Sequence, residues 1–186
     1  MGHWISPHFN TEHFPNGLGL EDKIAVFADR IRGWQLDIAH NLALTNPHSG
    51  FAVLSIGLSY FEMIAKYQDG YQGMRKSEHY FRQGVKSVFP SLSNADADLA
   101  EHVLAHLWEG VRCGIYHQGL TAGRIRLSGD YKVPLALAGK ERVLQINPRL
   151  LIETLEDHFT IYVCTLLDPS KSDERGKFVT RFDKMG

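Results

Sequence analysis

The chain has 186 residues, of which 44% are hydrophobic and 22% charged, enough apolar material for one globular domain and too much for a disordered chain. Its 20 Lys and Arg against 21 Asp and Glu leave a formal charge of −1, so bulk charge does not make it a coat for nucleic acid or anionic membrane. Two cysteines, Cys113 and Cys164, cannot build a disulfide framework. No apolar run approaches the roughly 18 residues of a membrane span, and the expectation is a soluble, cytoplasmic protein with no membrane partner.

Residues 1–19 carry three histidines and two prolines without periodicity and are expected to form an irregular arm. In LEDKIAVFADRIRGWQLDIAHNLAL, Ile24, Phe27, Ile31, Trp34, Ile38 and Leu42 recur at three- and four-residue spacing, which predicts an amphipathic helix with that stripe buried. TNPHSG breaks it. The segment SGFAVLSIGLSYFEMIAKYQDG predicts a second helix, apolar on nearly all sides and deeply buried, with Gly70 as C-cap. A shorter helix over 75–88 is closed by Pro90, and the SNADAD cluster offers N-caps for a fourth over about 95–117. The period then changes. RIRLS, KVPLAL and RVLQI are short β-like runs, with AGKE as a hairpin turn between the last two. Asn147 and Pro148 open a fifth helix that ends near Pro169, and the charged residues 170–186 are expected to be loosely held.

The expected fold class is mainly α: a helical bundle of about five helices with a small β-hairpin insertion (about 123–146) before the last. A single domain spans 20–168, between the arm (1–19) and a charged C-terminal tail (169–186). Trp34, Tyr60, Phe61 and Trp108 sit at helical spacing among aliphatics, which predicts core positions. Charge is unevenly placed. Residues 112–149 hold seven cations (Arg112, Arg124, Arg126, Lys132, Lys140, Arg142, Arg149) against Asp130 and Glu141, a net of +5 on a body of net −6. Such an island suits either a local anion-binding face or a solvated hairpin.

The fourth helix ends in EGVRCGIYHQG, with Arg112 and His117 separated by four residues. An arginine, four to six residues and a histidine late in a helical bundle resemble the HEPN superfamily, over roughly residues 50–168. The resemblance implies an HEPN-like RNA-binding protein, with metal-independent endoribonuclease activity from a composite site in which two protomers of a homodimer each supply an Arg and a His. On it, Arg112 is the phosphate clamp and His117 the acid/base. Glu62, alone on the apolar second helix, matches an acid in several HEPN families; it would orient His117 or pair with Arg112. Where the family often carries Asn, Asp or Ser after the arginine, this chain has Cys113. The substrate-binding candidates are Cys113, Tyr116, Arg124 and Arg126, with Tyr131 close by. No cofactor is implied. The family's common pairing with an antitoxin, or its place in defence loci, makes an antitoxin a candidate partner.

Elementary chemistry suits these roles, because a guanidinium forks onto phosphate oxygens and an imidazole trades a proton near neutral pH. At about 100° per residue, however, Arg112 and His117 lie about 140° apart on a straight helix, which favours assembly in trans. Two readings from other classes compete. One is a non-catalytic dimeric scaffold locked by the same two side chains. The other is a helical metalloprotein: His102, His106, Glu109 and Cys113 fall on one face of a straight helix, with His102 and His106 as the prime ligands. No nucleotide-binding glycine motif and no Gly-x-Ser-x-Gly elbow is present.

Overall fold

The computed structural model describes residues 2–71, 73 and 76–185. At its axis is α3 (Gly50–Asp69), the helix whose sequence is apolar on nearly every side. Val53, Leu54, Leu58, Tyr60, Phe61 and Ile64 are all buried, and Gly70 closes it in the left-handed conformation at φ 66°. On one flank lies a continuous helical run made of α1 (Leu20–Ile31), a π-helical turn (Arg32–Leu36) and α2 (Asp37–Thr45). On the other, α4 (Ser77–Val88) approaches so closely that a Cβ on Gly84 would stand 1.9 Å from the Phe61 carbonyl oxygen. Only glycine allows that contact.

After the short α5 (Ser91–Asn94) comes a second composite run: α6 (Ala97–Ala105), a π-helical stretch (His106–Cys113) and α7 (Gly114–Gln118). A small sheet follows, then α8 (Pro148–Leu167) and α9 (Ser172–Phe182). The protein is mainly helical, with seven helical runs among the described residues rather than about five. No helix among the described residues is long and apolar enough to cross a membrane.

Three expectations need correction. The π turn at 32–36 adds a residue to the helical period, so the apolar stripe changes phase there. Leu36 and Ala39 enter the core, while Trp34 and Ile38, expected inside, stand 50% and 45% exposed. The β insertion is more than a hairpin. β2 (Leu135–Ala138) and β3 (Val143–Ile146) pair antiparallel across the anticipated turn, and β1 (Ile125–Leu127) adds in parallel to the other edge of β3. Finally, residues 172–182 are not loose: α9 buries Phe178 and Phe182, an i,i+4 pair, against the bundle. The Phe178 ring lies 5.3 Å from Phe27 and 5.8 Å from Tyr67, in an aromatic cluster that tail-like charge content conceals.

The arm is irregular, as expected, yet anchored. Ser6 is fully buried and its hydroxyl donates to Asp29, which also accepts from the His8 backbone N–H, and Pro7 packs on Gly33 at the π turn. Asn147 caps α8 through Leu150 N–H and donates to the Gly129 and Tyr131 carbonyls at 3.0 and 2.7 Å, tying the loop after β1 to the helix start.

Candidate functional site

The residues around Arg112 owe their geometry to two glycines. Gly110 and Gly114, four apart, share a helical face, and the chain that turns back at Gly119 (φ 70°) runs down that face. A Cβ on Gly110 would stand 2.7 Å from the Ala122 carbonyl, and one on Gly114 2.6 Å from the Leu120 carbonyl. Ala122 N–H donates to the Gly110 carbonyl at 2.8 Å, a bond made from outside the helix within its π-helical stretch. The glycine face is thus sealed by the returning chain.

A different flank carries Trp108, Arg112 and Tyr116, again four apart. The Arg112 guanidinium carbon lies 4.8 Å from the Trp108 ring centre and 4.9 Å from that of Tyr116, so two aromatic faces hold it. Trp108 is itself fixed at 5.3 Å from Phe81 on α4. Arg112 makes no hydrogen bond among the described residues, and its nearest acid, Glu62, is 3.9 Å away. Glu62 is committed elsewhere: its Oε1 accepts from Lys66 Nζ at 2.5 Å and from Ser77 Oγ at 2.8 Å. Burial pushes the Glu62 carboxyl up, but the hydrogen bonds from Lys66 and Ser77 and the charges of Lys66 and Arg112 outweigh it and hold the group below the ordinary carboxylate value.

Arg112 opens on a cleft of about 400 Å³, floored by α3 and walled by the α1 run, α7 and α9. Four cations line it, Arg30, Lys66, Arg112 and Arg181, against the single acid Glu62, a net of +3; Trp34 and Tyr116 stand at its walls. Such a lining suits an anion that also carries an aromatic or sugar surface.

The chain therefore brings together Arg112, Glu62 and Tyr116 from the expected set. It leaves His117 outside the cleft lining, exposed and without a hydrogen bond or ion pair among the described residues, on the flank it shares with half-buried Cys113. Arg124 donates to the Glu141 carbonyl at 3.0 Å, and Arg126 is exposed on β1; neither reaches the cleft. The basic island disperses in three dimensions, for Arg142 pairs with Asp98 at 2.5 Å and Arg149 with Glu153 at 3.5 Å. Arg30, Lys66 and Arg181 are cleft residues without a sequence-based expectation, and Trp34, expected in the core, lines the cleft instead. Lys66, one turn after Glu62, was the detectable one.

The metal alternative loses its premise of a straight helix, since 106–113 is π-helical and no longer keeps Glu109 and Cys113 in line with the histidines. His102 Nδ1 lies 3.0 Å from the Asp98 carbonyl, His106 Nδ1 lies 2.8 Å from the His102 carbonyl, and the Arg142 guanidinium abuts the His102 ring. No cluster of three or more His, Cys, Asp or Glu that could hold a metal occurs among the described residues.

A further constellation links Ser87, His158 and Tyr60. His158 Nε2 lies 2.9 Å from Ser87 Oγ and its Nδ1 2.7 Å from Tyr60 Oη. A serine and a histidine so placed resemble two members of a hydrolase triad, but a tyrosine stands where the orienting carboxylate would be. Tyr60 is fully buried and has no other acceptor among the described residues, so its hydroxyl donates to Nδ1, and Nε2–H then donates to Ser87, which cannot be activated in that arrangement.

Compared with known proteins, the chain matches no family model, no curated protein and no solved structure.

Proposed function

We propose that this chain is an HEPN-like RNA-binding protein in which Arg112 grips a phosphate, and that two protomers of a homodimer combine Arg112 and His117 into a metal-independent endoribonuclease site. The observation that carries the reading is the state of Arg112. Its guanidinium is aimed by two aromatic rings, has no hydrogen-bond acceptor among the described residues, and faces a cleft of net charge +3. An arginine with a purely structural role would have its donors satisfied by carboxylate or carbonyl oxygens.

Dimerisation enters because His117 points away from its own Arg112 cleft. The end of α7 exposes Tyr116 and Leu120 at 56% and 61% beside His117, an apolar edge suited to a second copy. In the composite site one imidazole takes the 2′-hydroxyl proton and the 2′-oxygen attacks phosphorus. Arg112 neutralises the phosphorane, and the second imidazole protonates the departing 5′-oxygen, leaving a 2′,3′-cyclic phosphate. An antitoxin partner, which the resemblance implies, would act by covering this cleft.

The test is cleavage of structured RNA in EDTA by wild type, Arg112→Ala and His117→Ala. Cutting by wild type alone, with cyclic-phosphate ends, supports the enzyme. If none of the three cuts, the nuclease reading falls and RNA binding stands only if wild type binds with a salt-dependent affinity that Arg112→Ala weakens.

A further inference from the structure

The cleft continues past Arg112. Its far end is built by α9, a helix that the site as proposed does not use. Most of the other arginines with described contacts have a side-chain partner: Arg82 pairs with Glu78 and Glu101, Arg142 with Asp98, Arg149 with Glu153, Arg175 with Glu21 although its Nε is buried without a partner, and Arg32 donates to Thr160. Arg30 and Arg181, both lining the cleft, have no carboxylate within ion-pair distance among the described residues. The Arg181 Nε is buried without a hydrogen-bond partner, and its guanidinium is held over the rings of Tyr71 at 4.9 Å and Tyr67 at 5.9 Å. Arg30 is fixed by its Nε, which donates to the Ile5 carbonyl, and by the Phe182 ring 5.4 Å from its guanidinium carbon. The terminal nitrogens of both have no hydrogen-bond acceptor among the described residues. Their charges also reach the Tyr67 hydroxyl, whose pKa is raised by burial and opposed by Arg181 and Arg30.

The contacts run in order from Arg112 to Glu62, from Glu62 to Lys66, and from Lys66 across Tyr71, whose ring it meets at 4.9 Å, to Arg181. Glu62 neutralises Lys66 and repels an anion placed directly above it, so the cleft has two cationic stations flanking one carboxylate. A single phosphate would fill one station and leave the other unmatched. A strand with successive phosphates fills both.

Resting on the reading that Arg112 grips RNA phosphate, we propose that Arg30 and Arg181 form a second phosphate subsite. The ligand is then single-stranded RNA bound through at least two phosphates, with the half-exposed Trp34 offered to a base alongside. Single-strand binding loses affinity with salt at a logarithmic slope of about −0.7 per neutralised phosphate contact. With two phosphates neutralised, one at Arg112 and one at Arg30 and Arg181, affinity should fall about 7-fold between 50 and 200 mM salt, and about 2.6-fold once one subsite is lost.

The experiment is fluorescence anisotropy of a labelled oligouridine hexamer, and of the dinucleotide UpU with its one phosphate, against wild type, Arg30→Gln, Arg181→Gln, Arg181→Lys and Arg112→Gln. Thermal melts verify that each variant is folded. Weaker hexamer binding and a shallower salt slope for Arg30→Gln and Arg181→Gln are expected. The slope should be kept by Arg181→Lys, and UpU binding should be indifferent to Arg181→Gln. If Arg112→Gln weakens binding while Arg30→Gln and Arg181→Gln match wild type in affinity and slope, the second subsite is wrong and the first reading stands. If all three match wild type, both fall. If only Arg30→Gln and Arg181→Gln weaken binding, the subsite holds and the role given to Arg112 is overturned.

Discussion

Replacing Gly114 by alanine pits helix propensity against backbone crowding, with opposite signs. Propensity alone favours alanine by about 0.5–1 kcal/mol in a helix. A Cβ at this position, however, would stand 2.6 Å from the Leu120 carbonyl oxygen, 3.0 Å from Ala122 N and 3.4 Å from Thr121 Cα, all backbone atoms with no flexible side chain to yield. The segment 120–122 must lift. Overpacking of this kind costs about 1–3 kcal/mol, and losing the Ala122 N–H to Gly110 bond, 2.8 Å long, adds about 0.5–1.5 kcal/mol. After the propensity gain the net loss is about 0.5–4 kcal/mol, a fall in Tm of about 1–16 °C for a chain of this size. The control is Gly176→Ala in α9, where nothing lies within 4 Å of the new methyl; it should raise stability by about 0.5–1 kcal/mol. Melts followed by circular dichroism decide it. A Gly114→Ala protein as stable as Gly176→Ala would refute the close approach, and with it the account of how the returning chain seals the flank behind Arg112.

Asn147→Ala removes one cap and leaves two carbonyls without their donor, so denaturant titration should show a loss of about 2–4 kcal/mol. Burial holds the His158 imidazole below its ordinary 6.5, so the unfolded chain binds its proton first as pH falls. The associated stability is complete above 6.5 and is lost on acidification; the difference in Tm between wild type and His158→Asn should therefore shrink from pH 8 to pH 5.5, and a difference that grows would be the wrong sign. Glu62 has the same sign of pH dependence from a different cause, since hydrogen bonds and nearby cations favour its charged form. Its carboxyl is held below the ordinary 4.5, so it stabilises the fold above that pH and ceases to as pH falls through the folded value. Glu62→Gln should melt earlier at pH 7 yet bind RNA more tightly at low salt, because the one acid in the cleft is gone; weaker binding would mean that Glu62 holds the ligand rather than repelling it.

The helices were legible where periodicity was unbroken. The all-round apolarity of α3 announced its place at the axis, and Asn147–Pro148 marked the start of α8 by cap chemistry alone. What failed was phase and long-range pairing. A π turn leaves no mark in a hydropathy pattern, so Trp34 and Ile38 were assigned to a core from which one extra residue per turn expels them. Phe178 and Phe182 were masked by the charged residues around them, although their i,i+4 spacing was enough to bury one face of α9. The parallel pairing of β1 with β3 depends on a loop returning across Gly110 and Gly114, which local sequence does not reveal. In the site, Glu62 is legible as an acid on the otherwise apolar α3, with Arg112 as one candidate partner. Arg30 and Arg181, contributed from opposite ends of the chain, carry no local signal, and of the cations over 112–149 the fold brings only Arg112 to the cleft.

Hydrogen exchange on the protein with and without a bound single-stranded RNA hexamer addresses the cleft most directly. Slowed exchange in residues 27–35, 58–67, 108–118 and 178–183, the four stretches that line the cleft, is the predicted footprint. Protection confined to the sheet and its turns, residues 124–146, with the cleft unchanged, would contradict it.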